Sequence, residues 1–346
     1  MTEAPSSFKA RPPAESTLSV WARRAVSVPL YGLLSAVCLG GLPVWAAATA
    51  AADLLLGPRG WPRTRALGVF ALYLGSEVVG VLAATLIAVA TLGGRVGGPQ
   101  RYLDANAALQ RGWTGALFHG AVLLFSMKVD AQGLELAEHG PFLLFVRHTS
   151  TADTVLAAAM VANPHRLLLR YVLKRELLWD PCLDIVGRRL PNAFVDRSAA
   201  RTQAEVLAVA GLARDLDAGS AVLIYPEGTR FAESKRGRSV AALRERKQDA
   251  LADIASTFRH VLPPRLGGAL ALLDAAPDVD VILLEHTGFE GAATFASFWG
   301  GGLVGTTIRV RLRRIAAATI PRERTDEWLF SRWAEMDDWI SSVSPS

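Results

Sequence analysis

The sequence predicts an α/β domain, built on a mixed, partly parallel sheet flanked by helices, preceded by an N-terminal membrane-embedded helical hairpin. Three observations predict it. Two long runs nearly free of charge lie within the first hundred residues. Beyond residue 111, short β-type apolar runs alternate with helical patterns, the signature of strands and crossover helices. Hydrophobic residues make up 51% of the chain, too apolar for an ordinary soluble protein and too polar for one made mostly of membrane spans.

Residues 1–20 are rich in Pro, Ser, Ala and charge and carry no apolar period, so they read as a flexible tail. The hairpin falls within residues 21–110, with apolar runs at 25–56 and 66–94. Each run exceeds the roughly 20 apolar residues that span a bilayer, and the first is too long and too poorly placed for a signal peptide. The second is interrupted by Glu77, which reads either as an intramembrane functional group or as a side chain facing a neighbouring helix. Arg23 and Arg24 precede the hairpin, Arg59, Arg63 and Arg65 sit in its turn, and Arg95, Arg101 and Arg111 follow it. Positive charge therefore gives no orientation, and a hairpin that dips into one leaflet removes the conflict.

Residues 111–346 form the α/β domain. The stretch 113–127 is apolar and partly amphipathic, suited to a membrane surface or to packing on the domain. Strands are expected at 124–129, 141–146, 167–172, 193–196, 221–225, 279–285 and 307–312, and helices at 151–161, 175–186, 202–216, 240–258 and 326–340.

Charge and cysteine content narrow the function. A formal charge of +5 beside long apolar segments favours an anionic lipid surface. Nucleic acid would call for basic residues interleaved with aromatics in a recognisable binding motif, and none occurs. Cys38 and Cys182 lie far apart in sequence, which argues against a disulfide framework and for a reducing compartment. The six histidines lack metal-ligand spacing, so no metal site is expected.

Chemistry-bearing residues gather where apolar strands end. After Pro141–Val146 the chain reads Arg-His-Thr-Ser-Thr-Ala-Asp, with His148 and Asp153 five residues apart. On a continuous helix that is about 140° of rotation. The two side chains meet only if His148 lies in the turn before a helix and Asp153 in its first turn, with Ser150 the N-cap. Asp153 then fixes the imidazole tautomer and the other ring nitrogen takes a proton from an attacking alcohol. The same Ser-x-x-Asp spacing also reads as a capping box with no chemistry at all.

Phe194-Val195-Asp196-Arg197 ends another strand, and Arg197 can offer its planar fork to a phosphate or pair with a surface carboxylate. Tyr225-Pro226-Glu227-Gly228-Thr229-Arg230 ends a third. Gly228 permits close approach to the backbone, Thr229 and Arg230 offer phosphate ligands, and Pro-Glu-Gly is also an ordinary turn. No GxSxG nucleophile elbow is present, which disfavours a serine hydrolase.

Taken in order, these segments resemble the glycerolipid acyltransferase family, the 1-acylglycerol-3-phosphate acyltransferases and their lysocardiolipin-type relatives. The stretch His148–Asp153 resembles the family's first block, NHxxxxD. Residues 194–197 resemble the second block and 225–230 the third. Lys174, Glu176, Leu177 and Pro181 resemble a KxELxxxP pattern between the first two. Residues 260–267, with Pro263 and Pro264, resemble the fourth. The resemblance covers residues 110–340 and departs at Arg147, where the family usually has Asn; Arg147 is available there to an acidic head group or to donor phosphates.

The resemblance implies a transfer of a fatty acyl group from a thioester donor, acyl-CoA or acyl carrier protein, to the free hydroxyl of a lysophospholipid. The foremost acceptor is 1-acylglycerol-3-phosphate, giving phosphatidic acid. It implies His148 as general base with Asp153 as its partner, and a phosphate site at Arg197, Glu227, Gly228, Thr229, Arg230 and Lys174. Pro263 and Pro264 are expected along the acyl or donor channel. No bound cofactor is expected, and the thioester is a co-substrate. The partners are the two lipid substrates and an anionic membrane surface, which the cluster Lys235, Arg236, Arg238, Arg244, Arg246 and Lys247 would attract. The expected location is a membrane with the domain facing the cytoplasm, the inner membrane for a bacterial protein. A remodelling acyltransferase or transacylase for another lysophospholipid, and a non-catalytic lipid-binding protein, remain open alternatives.

Overall fold

In a computed structural model, residues 15–56, 60–196 and 203–344 are described. Most of the expected tail lies outside them, and from Thr17 the chain is helical. Helix α1 (Thr17–Gly40) is capped by the Ser16 side chain, which accepts from Ser19 N at 3.2 Å. The run expected as one apolar segment breaks at Gly41, and α2 (Leu42–Leu56) follows. Asp53 near the end of α2 accepts from the backbone N–H of Arg63 and Thr64 at 3.2 and 2.9 Å, satisfying the otherwise orphaned start of α3 (Pro62–Ala90).

Helix α3 packs lengthwise on α4 (Gly98–Phe125). Ala66, Leu67, Glu77, Gly80 and Ala84 form its buried stripe, at the spacing of one helix face, while Val79, Leu82, Leu86 and Val89 remain exposed. At Gly80 a Cβ would lie 2.6 Å from Cys182 Sγ, so glycine permits the close approach of the domain. Glu77 is buried and accepts from Cys182 N at 3.1 Å, the helix-facing reading of that residue. Arg23 and Arg24 both donate to the buried Asp184, at 2.8 and 2.6 Å. The helices are therefore bolted along the domain rather than tethered to it by one end.

The sheet has seven strands: β1 (Lys128–Gln132), β2 (Phe142–Val146), β3 (Leu168–Lys174), β4 (Ala193–Val195), β5 (Ser220–Ile224), β6 (Asp280–Thr287) and β7 (Thr307–Ile315). Their order is β1-β7-β6-β2-β5-β3-β4, parallel throughout except between β6 and β7. This is the mixed, mostly parallel sheet the alternation predicted. Side chains alternate between two cores. Leu143, Phe145, Val222, Ile224, Val281 and Leu283 face one, closed by α6 (Gln203–Gly211), α7 (Glu233–Glu245), α8 (Asp249–Ser256), α9 (Leu266–Ala275) and α10 (Thr325–Val343). Phe142, Leu144, Val146, Leu223, Ile282 and Leu284 face the other, against α3 and α4.

Several boundaries differ from expectation, each for a local reason. The strand expected at 124–129 begins only at Lys128, because the helical period from Trp113 carries α4 on to Phe125, where Leu124 packs against Gly68 of α3. The helix expected at 151–161 is a 3₁₀ turn, Ala152–Val155, followed by a π-turn, Ala158–Ala162. The one at 175–186 is a 3₁₀ turn and then α5 (Pro181–Ile185), interrupted at Asp180, which accepts from Leu183 N at 2.9 Å. The one at 202–216 stops at Gly211. The one at 240–258 is the pair α7 and α8, separated at Lys247 with φ of 59°.

Candidate active site

Strands β6, β2, β5, β3 and β4 are mutually parallel neighbours, so their C-terminal ends lie along one edge. Ligands of open α/β sheets bind at such an edge, where successive connections leave a strand in opposite directions. Here β2 is that strand, with β5 on one side and β6 on the other. His148 follows β2, Glu227–Arg230 follows β5, Lys174 ends β3 and Asp196 follows β4. Arg197 lies outside the described residues.

His148 Nδ1 lies 3.0 Å from Asp153 Oδ1. Asp153 Oδ2 accepts from Thr149 N at 2.6 Å and Ser150 N at 2.8 Å, which leaves Oδ1 for the imidazole. The capping and chemical readings of this segment are thus one arrangement: closing the turn is what aims the carboxylate. Ser150 takes a different part from the N-cap expected of it, its hydroxyl accepting from Ala152 N at 3.0 Å in the turn. Asp153 is fully buried, while the His148 side chain is 13% exposed. Against its carboxylate partner His148 presents Nδ1–H, so Nε2 is the available base. Tyr225 packs beside the ring, centroids 4.6 Å apart and planes tilted by 41°, and its hydroxyl donates to Asp153 O at 3.3 Å.

Glu227, expected in the phosphate site, turns its carboxyl inward instead. It is 1% exposed, its Oε1 accepting from His148 N and its Oε2 from Leu262 N, both at 3.0 Å. Burial pushes its carboxyl up to about 8, against the opposing pull of the His148 N–H, the Arg147 charge and the Leu262 N–H. It shapes the site from beneath by tying the loops after β2 and β5 to the segment before α9. Two main-chain bonds complete the lacing, Phe231 N to His148 O at 2.9 Å and Arg265 N to Pro226 O at 2.8 Å.

Gly228 has φ of +69°, and a Cβ there would meet Arg265 Cδ at 2.8 Å. Glycine therefore provides both the left-handed turn and the room for Arg265. Arg230 is exposed and donates to Thr151 Oγ1 at 2.9 Å; Lys235 Nζ donates to Thr229 Oγ1 at 2.8 Å and Arg230 O at 3.0 Å. Burial together with Arg230, Arg238 and Arg265 holds the Lys235 ammonium below the ordinary lysine range, as expected where cations converge. Lys235 and Arg265 escaped the sequence reading of the phosphate site. By sequence Lys235 belongs to a basic surface cluster, and Arg265 follows Pro263 and Pro264 in a largely apolar segment.

Two residues sit apart from these cations. Lys174 is exposed and pairs with Glu176 at 2.9 Å. Pro263 and Pro264 are buried, and neither lines the cavity of about 110 Å³ beside the site. Arg265 and Gly268 of that segment do, facing Val172, Val209, Ile224 and Tyr225. Arg147 does not reach toward a ligand. At 1% exposed, it donates to His260 O at 2.7 Å, His286 O at 2.6 Å and Glu290 Oε1 at 2.8 Å. Burial works to raise the Glu290 carboxyl, yet the Arg147 charge and hydrogen bonds prevail and hold it down at about 2.

Residues 128–269, which carry the loops after β2, β3, β4 and β5, match the acyltransferase family model. A 112-residue stretch is 31% identical to the 1-acyl-sn-glycerol-3-phosphate acyltransferase of Pseudomonas aeruginosa. Over these residues the chain is similar to the glycerolipid acyltransferases. The match with the Pseudomonas enzyme covers 32% of this chain and about two fifths, 41%, of that relative's length. A solved structure, the 1-acyl-sn-glycerophosphate (LPA) acyltransferase PlsC from Thermotoga maritima, aligns with a TM-score of 0.47 at 14% identity, covering 78% of this chain and 98% of that one. Within residues 128–269 the described parts of the four sequence blocks lie along one edge of the sheet. Arg147 stands in place of the family's usual Asn as a buried clamp.

Proposed function

We propose that this protein transfers a fatty acyl group from a thioester donor to the free hydroxyl of a lysophospholipid, with 1-acylglycerol-3-phosphate as acceptor and phosphatidic acid as product. The observation that carries the reading is the buried Asp153 carboxylate holding the His148 ring beside a cluster of cations, at the C-terminal edge of a parallel sheet. His148 Nε2 takes the proton of the acceptor hydroxyl as its oxygen attacks the thioester carbonyl. Collapse of the tetrahedral intermediate forms the ester bond, breaks the C–S bond and releases the thiolate, which recovers the proton from His148. Arg230, Lys235 and Arg265 hold the acceptor phosphate through charge-assisted hydrogen bonds.

The location we infer is a membrane surface facing the cytoplasm. Among the described residues, helices α1 and α3 are the two long and apolar enough to cross a bilayer. The contact of α3 with the domain along its length, with its opposite face apolar and exposed, favours a helix lying in one leaflet over one that crosses. Acyl-CoA and acyl carrier protein are both compatible donors, and the anionic membrane surface is the compatible partner of the exposed Arg238, Arg246 and Lys247.

The test is thioester-dependent acylation of a lysolipid panel by detergent-solubilised protein, wild type beside His148→Ala. Product chiefly from lysophosphatidate, lost in the variant, is the expected result. Product formed without any thioester would replace the reading with transacylation, and a fully active His148→Ala protein would remove the general base.

A further inference from the structure

Parallel pairing of β6 with β2 puts Leu284 beside Val146. Continuing that register by two residues brings His286 level with His148. His286 is completely buried. Its Nε2 lies 3.0 Å from Arg147 O, the carbonyl of the peptide bond that leads into His148, and 3.8 Å from Asp153 Oδ2. Arg147 returns the contact, Nη1 donating to His286 O at 2.6 Å. The two residues thus close a ring across the ends of the adjacent strands, directly behind the His148–Asp153 pair.

A carbonyl can only accept, so Nε2 carries the proton and Nδ1 is left as a bare acceptor. Nδ1 is buried with no hydrogen-bond partner among the described residues. An unpaired buried acceptor is unfavourable, and a phenylalanine would fill the same space beside Phe289, whose ring centroid is 5.6 Å away, without one. What imidazole supplies here and an apolar ring does not is the Nε2–H, aimed between the Arg147 carbonyl and the Asp153 carboxylate. The charged groups around it are Arg147, Asp153 and Glu290, and burial keeps the ring below the ordinary histidine range and therefore neutral.

We propose that His286 is a positioning residue for the His148–Asp153 pair: its Nε2–H anchors the peptide before His148 and faces the carboxylate oxygen that His148 does not use. The inference rests on the acyl-transfer reading above for its kinetic consequence, though not for its geometry. His286 touches no substrate. It acts through the orientation of its neighbours.

Two variants separate this role from packing. His286→Phe keeps the ring volume and removes the donor, whereas His286→Gln returns an N–H near the position of Nε2. The expected result for His286→Phe is a kcat about ten- to a hundred-fold lower with KM for both substrates within about two-fold of wild type. His286→Gln should recover most of the loss. In parallel, the His148 Nδ1–H proton of ¹⁵N-histidine-labelled protein, assigned by its absence from His148→Ala, should shift in the Phe variant and return in the Gln variant. A Phe variant with wild-type kcat and an unmoved resonance would overturn the proposal, as would Phe and Gln variants equally impaired with that resonance unmoved. If wild type turns over no lysolipid, the acyl-transfer reading fails by itself, and the resonance still decides whether His286 positions the pair.

Discussion

The two halves of the site are built in opposite ways. The His148–Asp153 half is held by main-chain groups: Thr149 N and Ser150 N on Asp153, Glu227 on His148 N, and Phe231 N on His148 O. The cationic half consists of long side chains at the surface, Arg230 and Arg265 among them, with Lys235 bridging Thr229 and the Arg230 carbonyl. Proton transfer tolerates little error in angle or distance, so its groups are fixed by bonds that form as the loops fold. A phosphate is a large, multiply accepting anion, and flexible cations can close on it from several directions. On the proposed reading the difference teaches that charge recruits the phosphate, whereas burial and backbone geometry prepare the chemistry.

The comparison is broken most severely at Asp153. In Asp153→Asn the side-chain oxygen can still accept from Thr149 N and Ser150 N, which leaves the amide NH₂ facing His148. That donor forces Nδ1 to act as an acceptor and places the proton on Nε2, the wrong tautomer for a base. The folded variant is expected to lose about 10²- to 10⁴-fold in kcat with its melting temperature little changed, measured by turnover and thermal denaturation. The cationic half should respond otherwise. Arg230→Ala and Arg265→Ala are each expected to raise KM for the phosphate-bearing acceptor about ten-fold while kcat stays near wild type. Equal losses in kcat would place those arginines with the chemistry and erase the distinction.

The smallest effect concerns Glu227, which belongs to the rigid half. Its carboxyl sits at about 8 in the folded protein against an ordinary value of 4.5. The folded state therefore keeps a proton that the unfolded chain gives up. Stability from this group is fully present below pH 4.5 and is lost as pH rises through about 8. Urea midpoints across that window should fall with rising pH in wild type, and Glu227→Gln should flatten this component of the slope. An unchanged slope would show that Glu227 is ionised throughout.

The basic segment after residue 230 shows where reading by composition reaches its limit. The six cations taken together as a membrane-facing patch divide in the structure. Arg236 ties α7 to the Phe258 carbonyl at 2.8 Å, Arg244 pairs with Asp253 at 3.0 Å, and Lys235 turns into the site. Arg147 shows the same limit from the other side. Read along the chain it was available to an anionic ligand, and in the fold it is sealed beneath the site by two carbonyls from segments more than a hundred residues away.

By itself the sequence determined the alternation of strands and helices, the apolar N-terminal runs, and the presence of His148, Asp153 and the Gly228–Arg230 turn at strand ends. These are legible because hydrophobic period and turn chemistry are local properties. Only the tertiary structure decided that β6 would lie beside β2 and bring His286 behind Asp153, and that Gly228 would open space for Arg265. It also decided that Glu227 would point inward and that α3 would lie along the domain. Each depends on which strand pairs with which, and strand order is set by burying two faces of one sheet at once, a condition that no single segment carries.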